Sequence, residues 1–583
     1  MSTISPSVKS IASAGASGGA AGAYADKVKM QHRLFGELSA MFAREVPMYD
    51  RALVINRVCN TLVCDAIKVL HQGFEVSEEQ IERTSGERHG AIRIGRPDEY
   101  RWIGRFFAQF AMEPHNFYDM TDVGSKSQPI IATAFRSGVN PEHRVFSSVL
   151  MTDYFAPETR ARIEALVGQR QVFSELAREL IEKGERQGGL DWADADRLIA
   201  EGTGRIFKWT GKARDHALYK ELCDGGFKIA ADIACFESHH LNHLTPNTFC
   251  MDLYTSAMKF CLGEMDEAHF RMRAMRAIGR LRTFADKHSV RLSFRHLSTE
   301  EIAGFTPGTL SDGDLNAMVD RLVARLGEAD VRLSEVKHAG FKDFTEGPSE
   351  DTPVLLRQDA YKALTEPVTF TNPDGATVQT THTARFGEIE QRFYATTPKG
   401  RELYDRCLAI ADAAREKDAS LPKRDFDAYE KLYAAPFAPF PKTLDGLVEH
   451  GLVRARYAST AKGISARGSI KTTDMFELMK LGYVRMEGLR YEDFLPVSAA
   501  GIFASNLNQY GTKSTAATKP TYTKAMLEEI LGRPIIDTDS AYRGLEAESR
   551  LRAYEDLGIE AQLPEAELAE LLSTAAQSPR EVR

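Results

Sequence analysis

Three histidines fall within five residues in the stretch Glu237-Ser238-His239-His240-Leu241-Asn242-His243-Leu244-Thr245-Pro246. Read as a strand, it turns His239 and His243 to one face and His240 to the other. A second stretch, His382-Thr383-Ala384-Arg385-Phe386-Gly387-Glu388-Ile389-Glu390, puts Glu388 and Glu390 on one face. A third, Arg88-His89-Gly90-Ala91-Ile92-Arg93-Ile94-Gly95, reads as a Gly-flanked strand with His89, Ala91 and Arg93 on one side and Ile92 and Ile94 on the other. A polar face backed by an aliphatic one suits the lining of a cavity. Neutral imidazoles and a carboxylate are the donor set of a two-His, one-carboxylate metal site, which leaves three coordination positions for substrate and dioxygen. The competing reading, that each His cluster is a set of hydrogen-bonded structural residues, stays open at this level.

Other chemistries find no foothold. Gly204…Gly211-Lys212 has the wrong spacing for a phosphate-binding loop, and Ala213 stands where a Ser or Thr would hold magnesium. GxGxxG and HExxH are absent from the sequence, and GxSxG occurs once, at Gly15–Gly19, in a Ser/Ala/Gly-rich stretch without the strand and helix a nucleophile elbow needs. The 74 basic and 82 acidic residues sum to −8, which argues against a nucleic-acid or anionic-membrane binder. The longest apolar run, around Val63–Leu70, is broken by Asp65 and Lys68 and is too short to span a bilayer. Seven cysteines without a CxxC pair imply neither a disulfide framework nor a zinc knuckle, and point to a reducing, cytoplasmic compartment.

These candidate residues need elements to position them. Residues 1–25 read as a flexible tail, with neither the apolar core of a secretory signal nor the arginines of a transit peptide. Met30, Leu34, Leu38, Met41 and Phe42 recur at helical spacing up to Pro47, and 51–71 predicts a second helix. Strand 88–95 is followed by a helix over 97–112 and strands over 116–123, 131–136 and 144–155. Helices dominate from 157 to 228, and strands return at 239–250, 354–357, 368–371 and 382–392. Two strand-rich blocks suggest a duplicated module, divided as 26–253 and 341–583 around a helical insertion at 254–340. Together they make one composite catalytic body.

Five longer motifs stand in order: RHGAIRIG at 88–95, HLNHLTPNT at 240–248, HTARFGEIEQR at 382–392, TPKGRELYD at 397–405 and YEDFLPVSAAGIF at 491–503. With TAFR at 133–136, RVFSSVL at 144–150 and LLRQDAYKAL at 355–364, they resemble the 2-oxoadipate dioxygenase/decarboxylase (hydroxyglutarate synthase) family. The resemblance implies an α+β fold with a vicinal-oxygen-chelate-like curved mixed sheet and added helices. It implies Fe(II) held by His89, His243 and Glu388, with Arg93 as the catalytic, substrate-carboxylate-binding arginine and Val497 and Ser498 lining the pocket. The implied reaction turns 2-oxoadipate and O2 into 2-hydroxyglutarate and CO2, in lysine catabolism. On a strand the α-carbons of His89 and Arg93 lie roughly 13 Å apart, so Arg93 suits the far end of a diacid whose near end chelates the metal. Glu390, His239 and His382 are expected to support the site or the fold rather than to bind metal. The chain departs from the family at Lys208-Trp209-Thr210-Gly211-Lys212, where a His-containing motif is expected, at Glu237-Ser238-His239, and in the insertion. Alternative readings are a same-fold metalloenzyme acting on another 2-oxo acid and a binding protein without turnover. Retention of His89, Arg93, His243 and Glu388 argues against the latter.

Overall fold

The computed structural model describes residues 24–121, 127–283, 288–294, 297, 299–328, 331–333, 336, 340, 345–383, 386–418, 420–495 and 521–579. Ten strands matter to the site: β1 (Arg88–Ile94), β2 (Glu113–Asp119), β3 (Ile130–Arg136), β4 (His143–Leu150), β5 (Lys212–Arg214), β6 (His243–Pro246), β7 (Leu356–Ala360), β8 (Thr365–Thr371), β9 (Thr377–Thr383) and β10 (Phe386–Arg392). Seven form a curled mixed sheet in the order β2-β3-β4-β1-β6-β10-β7, and β9-β8-β5 form a separate three-stranded sheet. The α+β class and the curved mixed sheet expected from the sequence are what the chain builds.

The registers show how the sheet is assembled. β1 runs parallel to β4, with His89 opposite Arg144, and β6 runs parallel to β10, with His243 opposite Phe386. β1 and β6 meet antiparallel, Ala91 against His243 and His89 against Thr245. A local two-fold axis through the Gly90–Leu244 pair therefore relates His89 to His243, Arg144 to Phe386, and Phe146 to Glu388.

Side-chain alternation separates the two faces. Ile92, Ile94, Val145, Val149, Leu244 and Ile389 join one large core with the helices α1 (Lys27–Glu45), α2 (Pro47–Leu70) and α3 (Pro97–Ala108). Asp26 caps α1 by accepting from the Lys29 amide. The first helix ends at Glu45, just before Pro47 as expected, and Pro47 also opens the second at its first turn, where a missing N–H costs nothing. The opposite face carries Ala91, Ala132, Ala134 and Phe146 in a smaller apolar cluster with the helix α4 (Lys228–Cys235).

Two strand expectations change. The strand expected over 239–250 shrinks to His243–Pro246, because His239 and His240 sit in the irregular approach to it. The segment 382–392 is not one strand: His382 belongs to the end of β9, which stops at Thr383 in the small sheet, and Glu388 belongs to β10 in the large one. The expected insertion is built into the core rather than appended. Helices α5 (Met251–Cys261), α6 (Glu267–Arg280) and α7 (Asp312–Leu326) bury Tyr254, Phe270, Ile278, Leu315 and Leu322 in the same cluster as α2. No helix among the described residues is long and apolar enough to cross a membrane.

One close approach locks β10 beside the site. A Cβ at Gly387 would lie 2.2 Å from the Tyr361 ring, which is buried and hydrogen-bonded to the Tyr254 hydroxyl at 2.6 Å. Gly387→Ala is therefore expected to destabilise the protein by about 1–3 kcal/mol, read as a fall in melting temperature, since neither ring can retreat freely.

Candidate metal centre

The large sheet brings His89 from β1, His243 from β6 and Glu388 from β10 to one buried point. The donor atoms of all three lie within 4.8 Å of one another. Glu388 Oε2 is the centre of the group, 3.2 Å from His89 Nε2 and 3.6 Å from His243 Nε2. The two imidazoles stand nearly perpendicular, at an interplanar angle of 88°. The Thr245 hydroxyl donates to Glu388 Oε2 at 2.9 Å and fixes the carboxylate from the neighbouring strand. Burial lowers His243 to about 4, so it presents a neutral imidazole, the form that donates a lone pair. At His89 burial acts in the same direction, but Glu390 and Glu388 outweigh it and raise the imidazole.

Behind His89 lies a dense layer of ion pairs. Glu390 Oε2 is 2.9 Å from His89 Nδ1, on the side of the ring away from Glu388. Arg392 forks onto Glu390 through Nε (2.7 Å) and Nη2 (2.9 Å), and Arg144 adds a third contact at 3.1 Å. Burial works to raise Glu390, yet Arg392, His89 and Arg144 hold it far below the usual carboxylate range. Arg144 also donates to Glu492 at 3.0 Å, and Arg136 forks onto Asp493 at 3.0 and 3.3 Å. Phe494 sets its ring edge-on to His89 at 5.1 Å and packs on Phe146 at 5.6 Å. The run Tyr491–Leu495 thus closes the site by charge and by shape. Arg144, Arg392 and Glu492 lie inside the motifs RVFSSVL, HTARFGEIEQR and YEDFLPVSAAGIF, but no spacing rule marks them as neighbours of a metal site.

Arg93 shares the β1 face with His89, as the alternation predicts. Its Nη1 donates to Asp232 Oδ2 of α4 at 2.6 Å. Asp232 Oδ1 lies 3.4 Å from His240 Nε2 and 3.5 Å from His382 Nε2, and the Tyr219 hydroxyl meets His382 Nδ1 at 2.7 Å. Of the residues expected to support the site or the fold, Glu390 reaches His89, whereas His382 belongs to this second cluster. Trp209, from the divergent Lys208–Lys212 segment, stacks on Phe236 at 5.0 Å and lies 4.7 Å from the His240 ring. His239 faces elsewhere and pairs with Glu99 of α3 at 3.0 Å, with Arg170 on the same carboxylate at 3.2 Å. It is a structural residue. Val497 and Ser498 lie outside the described residues.

A family model described as 2-oxoadipate dioxygenase/decarboxylase matches residues 34–267 and 314–506. The chain belongs to the 2-oxoadipate dioxygenase/decarboxylase family. The interval between the matched stretches, 268–313, is narrower than the insertion expected at 254–340. Curated members of the family that resemble this chain include the 2-oxoadipate dioxygenase/decarboxylase of Pseudomonas putida, 33% identical over 88% of this chain and 93% of the relative. The enzyme of the same name from Escherichia coli is 30% identical over 88% and 95%. The crystal structure of hydroxyglutarate synthase from Pseudomonas putida in complex with 2-oxoadipate superposes with a TM-score of 0.62 at 30% identity, covering 92% of this chain and 99% of that one.

The layer behind His89 yields a prediction. Glu390→Gln removes the anchor of His89 and leaves Arg144 and Arg392 short of a buried counter-charge. The variant is expected to bind metal about 10–100-fold more weakly in a chelator competition titration, and to lose about 3–5 kcal/mol of stability in denaturant unfolding.

Proposed function

We propose that this chain is an Fe(II)-dependent 2-oxoadipate dioxygenase/decarboxylase that converts 2-oxoadipate and O2 to 2-hydroxyglutarate and CO2, a step that fits lysine catabolism. The observation that carries the reading is the convergence of His89, His243 and Glu388 on one buried point, with Arg93 farther along the His89 face. Family membership and the likeness to an enzyme crystallised with 2-oxoadipate support the choice of substrate.

The residues present fit a divalent iron. Two imidazoles and one carboxylate are the donor set of non-haem Fe(II) oxygenases, and the donor atoms are close enough to share one ion. The local two-fold axis explains why there are three donors and not four. The position related to Glu388 is Phe146, which adds an apolar wall and no ligand. Bound at this point, Fe(II) supplies a Lewis-acidic, redox-active centre with positions left for a 2-oxo acid and dioxygen.

The chain's own residues do the rest. Glu390 and its two arginines hold the His89 ring, and Thr245 holds the Glu388 carboxylate, so the donors do not reorganise when substrate arrives. Phe494 and Phe146 keep bulk water from one side of the centre. Arg93 receives the far carboxylate of the diacid and thereby fixes which carbon faces the metal. The family resemblance also names Val497 and Ser498, outside the described residues, as substrate-binding candidates. The same reading assigns the enzyme to a reducing cytoplasm, in keeping with its seven free cysteines.

His243→Ala and Glu388→Ala are expected to lose bound iron and oxygen consumption with 2-oxoadipate, while far-UV circular dichroism stays at the parent level. Turnover at the parent rate in either variant would sink the assignment. Arg93→Lys keeps the charge but not the fork, and is expected to raise KM for 2-oxoadipate by roughly 10–100-fold, or to alter the product ratio. An unchanged KM with an unchanged product ratio would count against its carboxylate role.

A further inference from the structure

An arginine side chain is rich in rotamers, and an unheld guanidinium can meet carboxylates over a wide range of distances. Arg93 is held. Its Nη1 donates to Asp232 Oδ2 at 2.6 Å, in surroundings where the Asp232 side chain is 1% exposed and that of Arg93 10%. We propose that Asp232 is a positioning residue that fixes the Arg93 fork, and so sets the length of 2-oxo diacid that the site accepts. This assignment rests on the 2-oxo acid reading given above.

Asp232 is itself fixed from several directions. It sits on α4, while His240 comes from the approach to β6 and His382 from β9 of the small sheet. Its Oδ1 lies 3.4 Å from His240 Nε2 and 3.5 Å from His382 Nε2. Burial lowers the His382 imidazole, although Asp232 opposes the shift, so the ring is neutral and carries one proton. The Tyr219 hydroxyl lies 2.7 Å from its Nδ1. A carboxylate can only accept, so the proton sits on Nε2, facing Asp232, and Nδ1 accepts from Tyr219. Phe236 and Trp209 pack on the same ring, with centroids at 4.7 and 5.9 Å, and resist its turning. A chain Tyr219–His382–Asp232–Arg93 thus runs from the helix His216–Asp224 to β1. Its members come from four separate elements, so the needs of no single helix or strand account for it.

The consequence for a ligand is geometric. Hydrogen bonds tolerate only about half an ångström in donor–acceptor length. A fork fixed in place meets the far carboxylate of one chain length and misses that of a diacid one methylene shorter, whereas an unheld fork follows both. Comparing two dianions of different length also separates position from charge, because losing the Asp232 charge alters the attraction for both alike.

The test uses the full-length protein loaded with Fe(II) under anaerobic conditions, so that binding is measured without turnover. Calorimetric titrations compare 2-oxoadipate with 2-oxoglutarate, one methylene shorter, and with 2-oxohexanoate, which ends in methyl and does not call on Arg93. The parent is expected to prefer 2-oxoadipate over 2-oxoglutarate by roughly 10-fold or more, the discrimination that one methylene allows. Asp232→Asn keeps the shape and weakens the hold. It is expected to bring the two diacids to within about twofold of each other, with iron content and 2-oxohexanoate binding at the parent level. Tyr219→Phe alters only the far end of the chain, and is expected to give a preference between those of the parent and Asp232→Asn. Lys at position 93 offers no fork to orient, so adding Asp232→Asn to Arg93→Lys is expected to leave the preference of Arg93→Lys unchanged. A merely structural role for Asp232 would weaken all three ligands together and keep the parent ratio. If either single variant keeps that ratio, or the parent shows no preference between the diacids, the assignment is wrong and the 2-oxo acid reading stands. An equal fall of the ratio with and without the Arg93 fork would also overturn it, since Asp232 would then act elsewhere. Should Asp232→Asn fail to fold, Tyr219→Phe decides by the same ratio. If the parent binds neither diacid, the 2-oxo acid reading falls and this assignment falls with it.

Discussion

The site depends on one ladder, the antiparallel meeting of β1 and β6 about the Gly90–Leu244 pair. That pairing sets His89 and His243 on the same face, two residues apart in register, and no local feature of either strand could do so. Because side chains alternate with a period of two, a slip of one residue would send His243 into the helical core and bring Leu244 to the polar face. The aliphatic backs of the two strands, Ile92, Ile94 and Leu244, prevent the slip by burying themselves against α1, α2 and α3. Packing on one face of the sheet thus holds the chemistry of the other in place.

A consequence of burying the donors is that every charge near them needs a partner. The protein meets this with two groups. Behind His89 the ion pairs interlock: Glu390 is held by Arg144 and Arg392, Glu492 shares Arg144, and Asp493 pairs with Arg136. Such a layer adds little net stability, since desolvation offsets most of the attraction, but it fixes orientation. Around Arg93 one carboxylate, Asp232, gathers the guanidinium and the His240 and His382 imidazoles.

The divergent parts of the sequence fall on the second group. Trp209 occupies the stretch where a histidine-bearing motif is expected, and it packs against His240 and His382. Variation there changes the wall of the cluster without touching His89, His243 or Glu388. The additional helices after β6 take another course and thicken the core against α2.

Much of this was legible from residues alone. The alternation in RHGAIRIG separates His89 and Arg93 from Ile92 and Ile94, and the structure keeps that division. The order strand, helix, strand, strand, strand after residue 88 is the order observed, and it is compatible with the curved mixed sheet that the family resemblance implies. Other expectations followed local pattern where tertiary contacts ruled. The run 382–392 looks continuous, but its two halves belong to different sheets, so His382 and Glu388 part company. The three clustered histidines go to three destinations: His239 to Glu99, His240 to Asp232 and His243 to Glu388. Which histidine meets which carboxylate is decided by strand pairing between residues as far apart as 299 positions, and by the need of each buried charge for a partner. The sequence by itself determined the alternation of the β1 face and, through its motifs, the family, whose resemblance names the candidate donors. Only the tertiary structure decided that Glu390 is held by two arginines and that Arg93 is already paired, because those facts depend on packing between distant segments that no local periodicity records.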